Sequence, residues 1–311
     1  MNARALKTLA KSGWHRSFRV LQRAGINLLP AHFYSCVPDL DDLARRTDWR
    51  KPRSMYGIAH RDIDAQLSLL GEWLAPHSEH LSQHSIHAEA IVGGGGDGGY
   101  GEIEAEILFA FIAANKPGRI IQIGCGVSTA VMVMAAEAVG HKPEIICVEP
   151  YPSSYLKEVE GRGVIRLVAQ PAQLVDHRQL AALEPGDFLF IDSTHAVKPG
   201  SEVNYLVHEV LPRLGNGVWV HFHDIYFPYD YTRDALGNDL FFPQESTLLY
   251  AFLTDNERYR LEVCLSMIHY AAADRLQGLV PKYQPNDQTD GLAGRKGKHF
   301  PSSAWLRVVG G

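Results

Sequence analysis

The chain has 311 residues, 46% of them hydrophobic and 21% charged, enough to bury roughly three quarters of its unfolded surface in one large or two small domains. A disulfide-stapled miniprotein is thereby excluded. Thirty Lys and Arg against 35 Asp and Glu leave a net charge of −5, so there is no overall electrostatic case for nucleic acid, and none is expected as a partner.

Fifteen histidines outnumber the 13 tyrosines and raise a question about metals or proton transfer, because imidazole titrates near neutral pH. The four cysteines, Cys36, Cys125, Cys147 and Cys264, are far apart and form no CxxC pair, so reduced, mostly buried thiols are expected. No uninterrupted apolar run approaches the roughly 20 residues that cross a bilayer. Residues 1–30 carry charge too regularly for a secretory leader. The expectation is a cytoplasmic protein without a transmembrane segment.

The opening segment is locally basic, with Arg4, Lys7, Lys11, Arg16, Arg19 and Arg23 all preceding the first acid, Asp39. Such a run reads as a solvated helix face, or as an arm resting on a membrane surface or an acidic partner. Ile63, Leu67, Leu70 and Leu74 recur at three- and four-residue intervals, which predicts a helix over 62–74. Pro30, Pro38 and Pro52 interrupt what precedes it, so residues 1–92 are expected as a helical extension of short helices and loops that serves as a lid. The glycine-rich stretch 93–99 is too permissive in backbone angle for regular structure and predicts a hinge or mobile loop.

Beyond it helical and strand-like runs alternate: helix 102–114, strand 119–123, helix 129–138 and strand 144–148. Further strands are expected at 164–168, 188–191, 218–222 and 260–265, with helices at 173–183, 202–211 and 246–253. This alternation implies βαβ units, an α/β fold with a mainly parallel sheet covered on both faces, and ligands at the carboxyl ends of the strands. A polar loop at 283–298 leads into a final strand at 304–309.

Ile120-Ile121-Gln122-Ile123-Gly124-Cys125-Gly126-Val127-Ser128-Thr129 is a strand running through glycines into a helix. The glycines allow a tight turn and close approach of a ligand, and the free N–H groups at the helix start favour polar or anionic atoms. Thr129 occupies the place of the third glycine of a dinucleotide fingerprint. Glu149 follows Gly126 by 23 residues, the spacing at which an acid takes the hydroxyls of an adenosine ribose.

With these motifs the chain resembles a class I S-adenosylmethionine-dependent methyltransferase, of the bacterial branch whose first motif reads IIE-x-G-x-G-x-S-T. The resemblance extends through His32-Phe33-Tyr34-Ser35, Met55-Tyr56-Gly57-Ile58, Asp192-Ser193-Thr194-His195, Lys198-Pro199-Gly200-Ser201, Asn204-Tyr205, Val220-His221-Phe222-His223-Asp224-Ile225 and Ser302-Ser303-Ala304-Trp305-Leu306. It implies a Rossmann-like sheet of seven strands, the last antiparallel, in a cofactor-binding domain over 93–311. By the same resemblance Gly124, Gly126, Ser128 and Thr129 hold the methionine part of S-adenosylmethionine, Glu149 and Pro150 the ribose, and Gln170 and Ala172 the adenine, with Asp192 alongside. Two departures stand out. Gln122 replaces the usual acid, with Glu104 as the candidate substitute toward the cofactor's ammonium, and Phe242-Pro243-Gln244-Glu245 differs from the Asn-Glu-Gln-like stretch of relatives.

If the strands ending at 191 and 222 are parallel neighbours, Asp192, His195, His223 and Asp224 converge on one edge. That density of imidazole and carboxylate suits a divalent metal or general-base catalysis. The arrangement is similar to catechol O-methyltransferase, whose acids at these strand ends bind magnesium; two imidazoles would favour Mn, Fe or Zn. Without a metal, His195 would be the base, oriented by Asp192 or Asp224. Strand alternation puts His221 on the side of His223 and opposite Phe222. His77, His80, His84 and His87 are expected to be bland surface or lid residues.

The function expected is methyl transfer to a hydroxyl of a small molecule or glycan, with Tyr226, Phe227, Tyr229 and Tyr231 available as flat pocket walls. Two other readings stay open: an NAD-dependent oxidoreductase, and a methyltransferase-like binding protein without turnover. Homo-oligomerisation stays open as well.

Overall fold

The computed structural model describes residues 3–29, 32–95, 99–231, 242–286 and 297–310. Much of the expected glycine hinge, at 96–98, and of the expected polar loop, at 287–296, lies outside the described residues. The chain divides into two units, Met1–Arg46 and Thr47–Gly311. The first contains helix α1 (Ala3–Arg23) and a short α2 (Leu40–Arg45), whose start is capped where the Asp39 carboxylate accepts the Asp42 N–H at 2.9 Å.

In the second unit, seven extended runs form one sheet, with the most apolar and most buried of them at its centre. They are β1 (Arg119–Ile123), β2 (Glu144–Val148), β3 (Arg166–Val168), β4 (Phe188–Ile191), β5 (Trp219–Phe222), β6 (Tyr259–Cys264) and β7 (Ala304–Val308). The order is β3-β2-β1-β4-β5-β7-β6. Strands β1 to β5 pair in parallel, and β7 inserts antiparallel to both β5 and β6. The α/β fold with seven strands and an antiparallel last strand therefore stands.

Side chains alternate across the sheet with the strand period of two. Ile120, Phe188, Phe190 and Trp219 enter one core with α3 (Ile63–Leu74), α4 (Ser78–Gln83), α5 (Ile86–Ala90), α6 (Glu102–Asn115), α7 (Val127–Ala138) and α8 (Ser154–Gly161). Ile121, Leu189, Val220 and Phe222 enter the other, with α9 (His177–Leu180), α10 (Glu202–Tyr205) and α11 (Glu245–Leu253). Helix α12 (Leu265–Leu279), which the alternation did not predict, directly follows β6 and adds Ile268 and Leu276 to the first core. The single helix expected over 173–183 is instead a 3-10 turn, Ala172–Leu174, and the separate α9. The break comes where Asp176 caps the new helix, its carboxylate accepting the Arg178 N–H at 2.9 Å.

Helix α3 is built into the first core. Its Trp73 packs on Phe111, Trp219 and Trp305 with ring centroids 5.0, 5.8 and 6.0 Å away. Its fully buried Gln66 accepts the Cys264 N–H at 2.9 Å and donates to the Arg61 carbonyl at 2.8 Å. Gln66→Leu leaves the Cys264 N–H buried without its partner and the Arg61 carbonyl with His60 Nδ1 alone, at 2.9 Å, and an unsatisfied buried backbone group costs about 1–3 kcal/mol. Urea unfolding of this variant should show a destabilisation of about 2 kcal/mol or more; an unchanged midpoint would mean that the amide is not what ties α3 to β6.

Candidate active site

The loop after β1 is set by one close approach. Gly124 has φ +77°, and a Cβ at that position would lie 1.6 Å from the Asp192 carbonyl oxygen. Only glycine lets the β1 and β4 loops touch there. Beneath the loop, the fully buried Gln122 donates to the Gly124 carbonyl and Ser128 Oγ and accepts from Thr129 Oγ1, at 3.1, 2.9 and 2.9 Å. Thr129 Oγ1 in turn accepts the Gly126 N–H at 3.2 Å.

Across the loop the Glu149 carboxylate accepts the backbone N–H groups of Cys125 at 3.3 Å and Tyr151 at 2.9 Å. A cleft with two lobes opens here. One lobe, of about 390 Å³, is lined by Tyr100, Gly124, Gly126, Ser128, Glu149 and Asp192 among others. The second, of about 420 Å³, shares Gly124, Glu149 and Asp192 and extends over Pro150, Ala172, Gln173 and Thr194. Both sit at the carboxyl ends of parallel strands, where open α/β sheets take ligands.

Beside the cleft, the ends of β4 and β5 bring two imidazoles and several carboxylates together. His195 is buried. Its Nδ1 lies 2.7 Å from Glu245 Oε2, while its Nε2 faces Asp192 Oδ1 at 3.5 Å and Asp224 Oδ2 at 3.6 Å. His223 Nδ1 lies 3.4 Å from Asp192 Oδ1 and 3.8 Å from Asp224 Oδ2 without a hydrogen-bond partner, and its Nε2 is 4.0 Å from Glu104 Oε1. One atom each from Asp192, His195 and His223 falls within 4.8 Å of the others. Ser302 braces the acids, its Oγ donating to Asp224 and its N–H to Glu104, both at 2.8 Å. His195 and Asp224 both have a backbone φ of 55°, a left-handed conformation uncommon for such residues and concentrated at functional sites.

The electrostatics follow from this crowding. Burial opposes a charge on His195, but Asp192, Glu245 and Asp224 outweigh it and raise its pKa to about 11. Burial likewise opposes charge on His223, and Asp224, Asp192 and Glu104 together raise it to about 10. Asp192 is pushed the other way. Its burial favours the acid form, yet His223 and His195 hold it well below the usual carboxylate range.

Residues 121–225, from β1 to the end of this cluster, match a family model described as a methyltransferase domain. This segment is therefore similar to a methyltransferase domain. An uncharacterized protein of Archaeoglobus fulgidus is 29% identical over 174 residues, which is 50% of this chain and 73% of that protein. Among solved structures, the SAH-bound methyltransferase PaMTH1 of Podospora anserina is similar at 15% identity, covering 89% of this chain and 99% of its own, with a TM-score of 0.35. The plantazolicin methyltransferase BpumL in complex with SAH is 14% identical, covering 80% of this chain and 97% of its own, with a TM-score of 0.39.

Of the residues singled out in the sequence, Gly124, Gly126, Ser128, Glu149, Pro150, Ala172 and Asp192 line the cleft. Gln122 and Thr129 lie beneath it, their polar atoms engaged with the loop. Gln170 and Glu104 are not among the lining residues, and Glu104 stands behind His223 instead. Asp192, His195, His223 and Asp224 do come together. His221 lies on the His223 side as strand alternation requires, but it stacks on Phe190 at 4.4 Å and reaches only the Tyr100 hydroxyl, at 3.4 Å.

Sequence reasoning missed the part Glu245 plays. It treated the segment only as a departure from relatives, although Glu245 is the shortest contact His195 makes. It also missed Tyr100, whose ring packs on His223 at 4.8 Å while facing the cleft.

The raised His195 pKa makes the ion-free protein sensitive to base. A group whose pKa rises on folding stabilises fully below its unfolded value of about 6.5, and that stabilisation is lost as pH climbs through about 11. In chelator, thermal unfolding temperatures should therefore fall more steeply over this window for the wild type than for His195→Gln. Parallel curves would remove His195 as the titrating group.

Proposed function

We propose that this protein is an S-adenosylmethionine-dependent O-methyltransferase acting on a hydroxyl of a small molecule or glycan, with Asp192, His195, His223 and Asp224 holding a divalent cation beside the methyl donor. One observation carries the cation reading. The Nε2 of His195 and Nδ1 of His223 point at the same two carboxylates, while the other nitrogen of each ring is backed by a buried acid, Glu245 or Glu104. Imidazole ligands characteristically have their second nitrogen oriented in this way. Separations of 3.4 to 3.8 Å among these donor atoms are near the edge of about 3.4 Å in a tetrahedral site with bonds of about 2.1 Å. Two imidazoles with two carboxylates suit Zn, Mn or Fe better than Mg.

Bound there, such an ion supplies Lewis acidity that lowers the pKa of an acceptor hydroxyl. The remaining work belongs to the chain. Gly124, Gly126 and Ser128 offer backbone and hydroxyl groups to the donor's amino-acid part, and Glu149 is placed for the ribose hydroxyls. The adenine lies along Pro171, Ala172 and Gln173. The acceptor oxygen attacks the sulfonium methyl in line, the carbon–sulfur bond breaks as the carbon–oxygen bond forms, and S-adenosylhomocysteine leaves. Positioning and exclusion of water carry much of the rate. Without an ion His195 is a cation near neutral pH and is no base. In that ion-free case Asp224, the most accessible member of the cluster with about 32% of its side chain exposed, would take the acceptor's proton.

Calorimetric titration tests the donor site. Wild-type protein should bind S-adenosylmethionine and S-adenosylhomocysteine, and Glu149→Gln should bind about tenfold more weakly or worse, as loss of hydrogen bonds to a charged group predicts. Absence of heat at millimolar ligand would overturn the reading. Transfer of a labelled methyl group to pooled catechols and glycans then separates O-methylation from other acceptors.

The cation has its own test. Metal analysis after dialysis should find one divalent ion per chain, lost in Asp192→Asn and His223→Ala. Both imidazoles hold protons near neutrality in the ion-free protein, so binding must expel them and affinity must rise with pH. Titrations in buffers of differing ionisation heat would show that release; binding without it would move the ion elsewhere.

A further inference from the structure

The first unit differs from the second in both charge and surface. Residues 1–46 hold eight Lys and Arg against three Asp and Glu, a net +5 within a chain of net −5. The other 265 residues therefore carry −10. Among the described residues, most of the exposed large hydrophobic side chains also lie in this short unit, including Trp14 at 42%, Val20 at 65%, Phe33 at 94% and Tyr34 at 87%. Isolated exposed apolar residues need no explanation, but a concentration in one segment marks an interaction surface.

Helix geometry sorts the two kinds of residue. At 100° per residue, Trp14, Phe18 and Leu21 stand at i, i+4 and i+7 and share one face of α1. Arg16, Arg19 and Arg23 stand at i, i+3 and i+7 on the opposite face, and no acid falls in the helix. Nucleic acid or an acidic protein surface would engage the arginines and leave the apolar row in water. The boundary between lipid headgroups and acyl chains takes both faces at once, the apolar row in the hydrocarbon margin and the cations among phosphates. Among the described residues no helix is long and apolar enough to cross a membrane, so α1 would lie along the surface.

We propose that α1, with the exposed Phe33–Tyr34 pair, docks this protein onto an anionic lipid surface. The test is co-sedimentation of the full chain with large vesicles of phosphatidylcholine alone or mixed equally with phosphatidylglycerol. The protein should pellet with the mixed vesicles, not with the neutral ones, and release as salt screens the charges. The triple variant Arg16→Glu, Arg19→Glu, Arg23→Glu should lower the partition coefficient about 100-fold or more, each basic residue near such a surface contributing roughly fivefold. Phe18→Ser should weaken it with all charges kept, and both variants should retain the wild-type affinity for S-adenosylmethionine. Equal pelleting of the triple variant, or no pelleting of the wild type with either vesicle, would overturn the proposal. So would self-association in the absence of lipid that the same charge reversal abolishes, since the second chain would then be the partner.

Discussion

The backbone contact between Gly124 and Asp192 is the constraint on which the site depends. It brings the loop after β1 against the loop after β4 with no room for a methyl group. Asp192 thereby becomes common to both halves of the site. Its residue lines both lobes of the cleft, and its carboxylate faces both imidazoles of the neighbouring cluster. Any change in the distance between the β1 and β4 loops must therefore alter the cleft and the cluster geometry together. A larger residue at 124 would disturb both at once.

The cluster is a balance between burial and charge. Taking Glu104, Glu245, His195 and His223 out of water is costly for each alone. Together they are tolerable because acids and imidazoles compensate one another, and the price appears in the raised pKa values of both histidines. The acids fall into two physically distinct sets. Glu245 and Glu104 are buried behind the rings, whereas Asp192 and Asp224 face the space between them.

Much of the central architecture was legible in the sequence because it is local. Strands β1, β2 and β4 begin and end where the apolar runs do, since burial on both faces demands unbroken hydrophobicity. The convergence of Asp192, His195, His223 and Asp224 followed from strand ends alone. What could not be read depends on distant partners. Glu245 meets His195 across 50 residues, and nothing near either residue announces the other. Gln122 read as the loss of an acid, but the structure gives the amide a purpose. It donates to Ser128 and accepts from Thr129 at once, which a carboxylate, having acceptors only, does not do. Helix α12 was hidden because it starts immediately after β6 with no turn residue between them.

The insertion of β7 between β5 and β6 has a consequence for how the molecule is made. Five parallel strands, β1 to β5, are complete by residue 222, yet β5 keeps an unpaired edge until residues 304–308 arrive. The same late segment supplies Ser302, which braces Asp224 and Glu104. During synthesis the aspartates and histidines are thus in place long before the residue that fixes their geometry. The long separation between β5 and β7 makes their pairing a slow step of assembly, so a nascent chain would hold the cluster's aspartates and histidines while lacking the finished site.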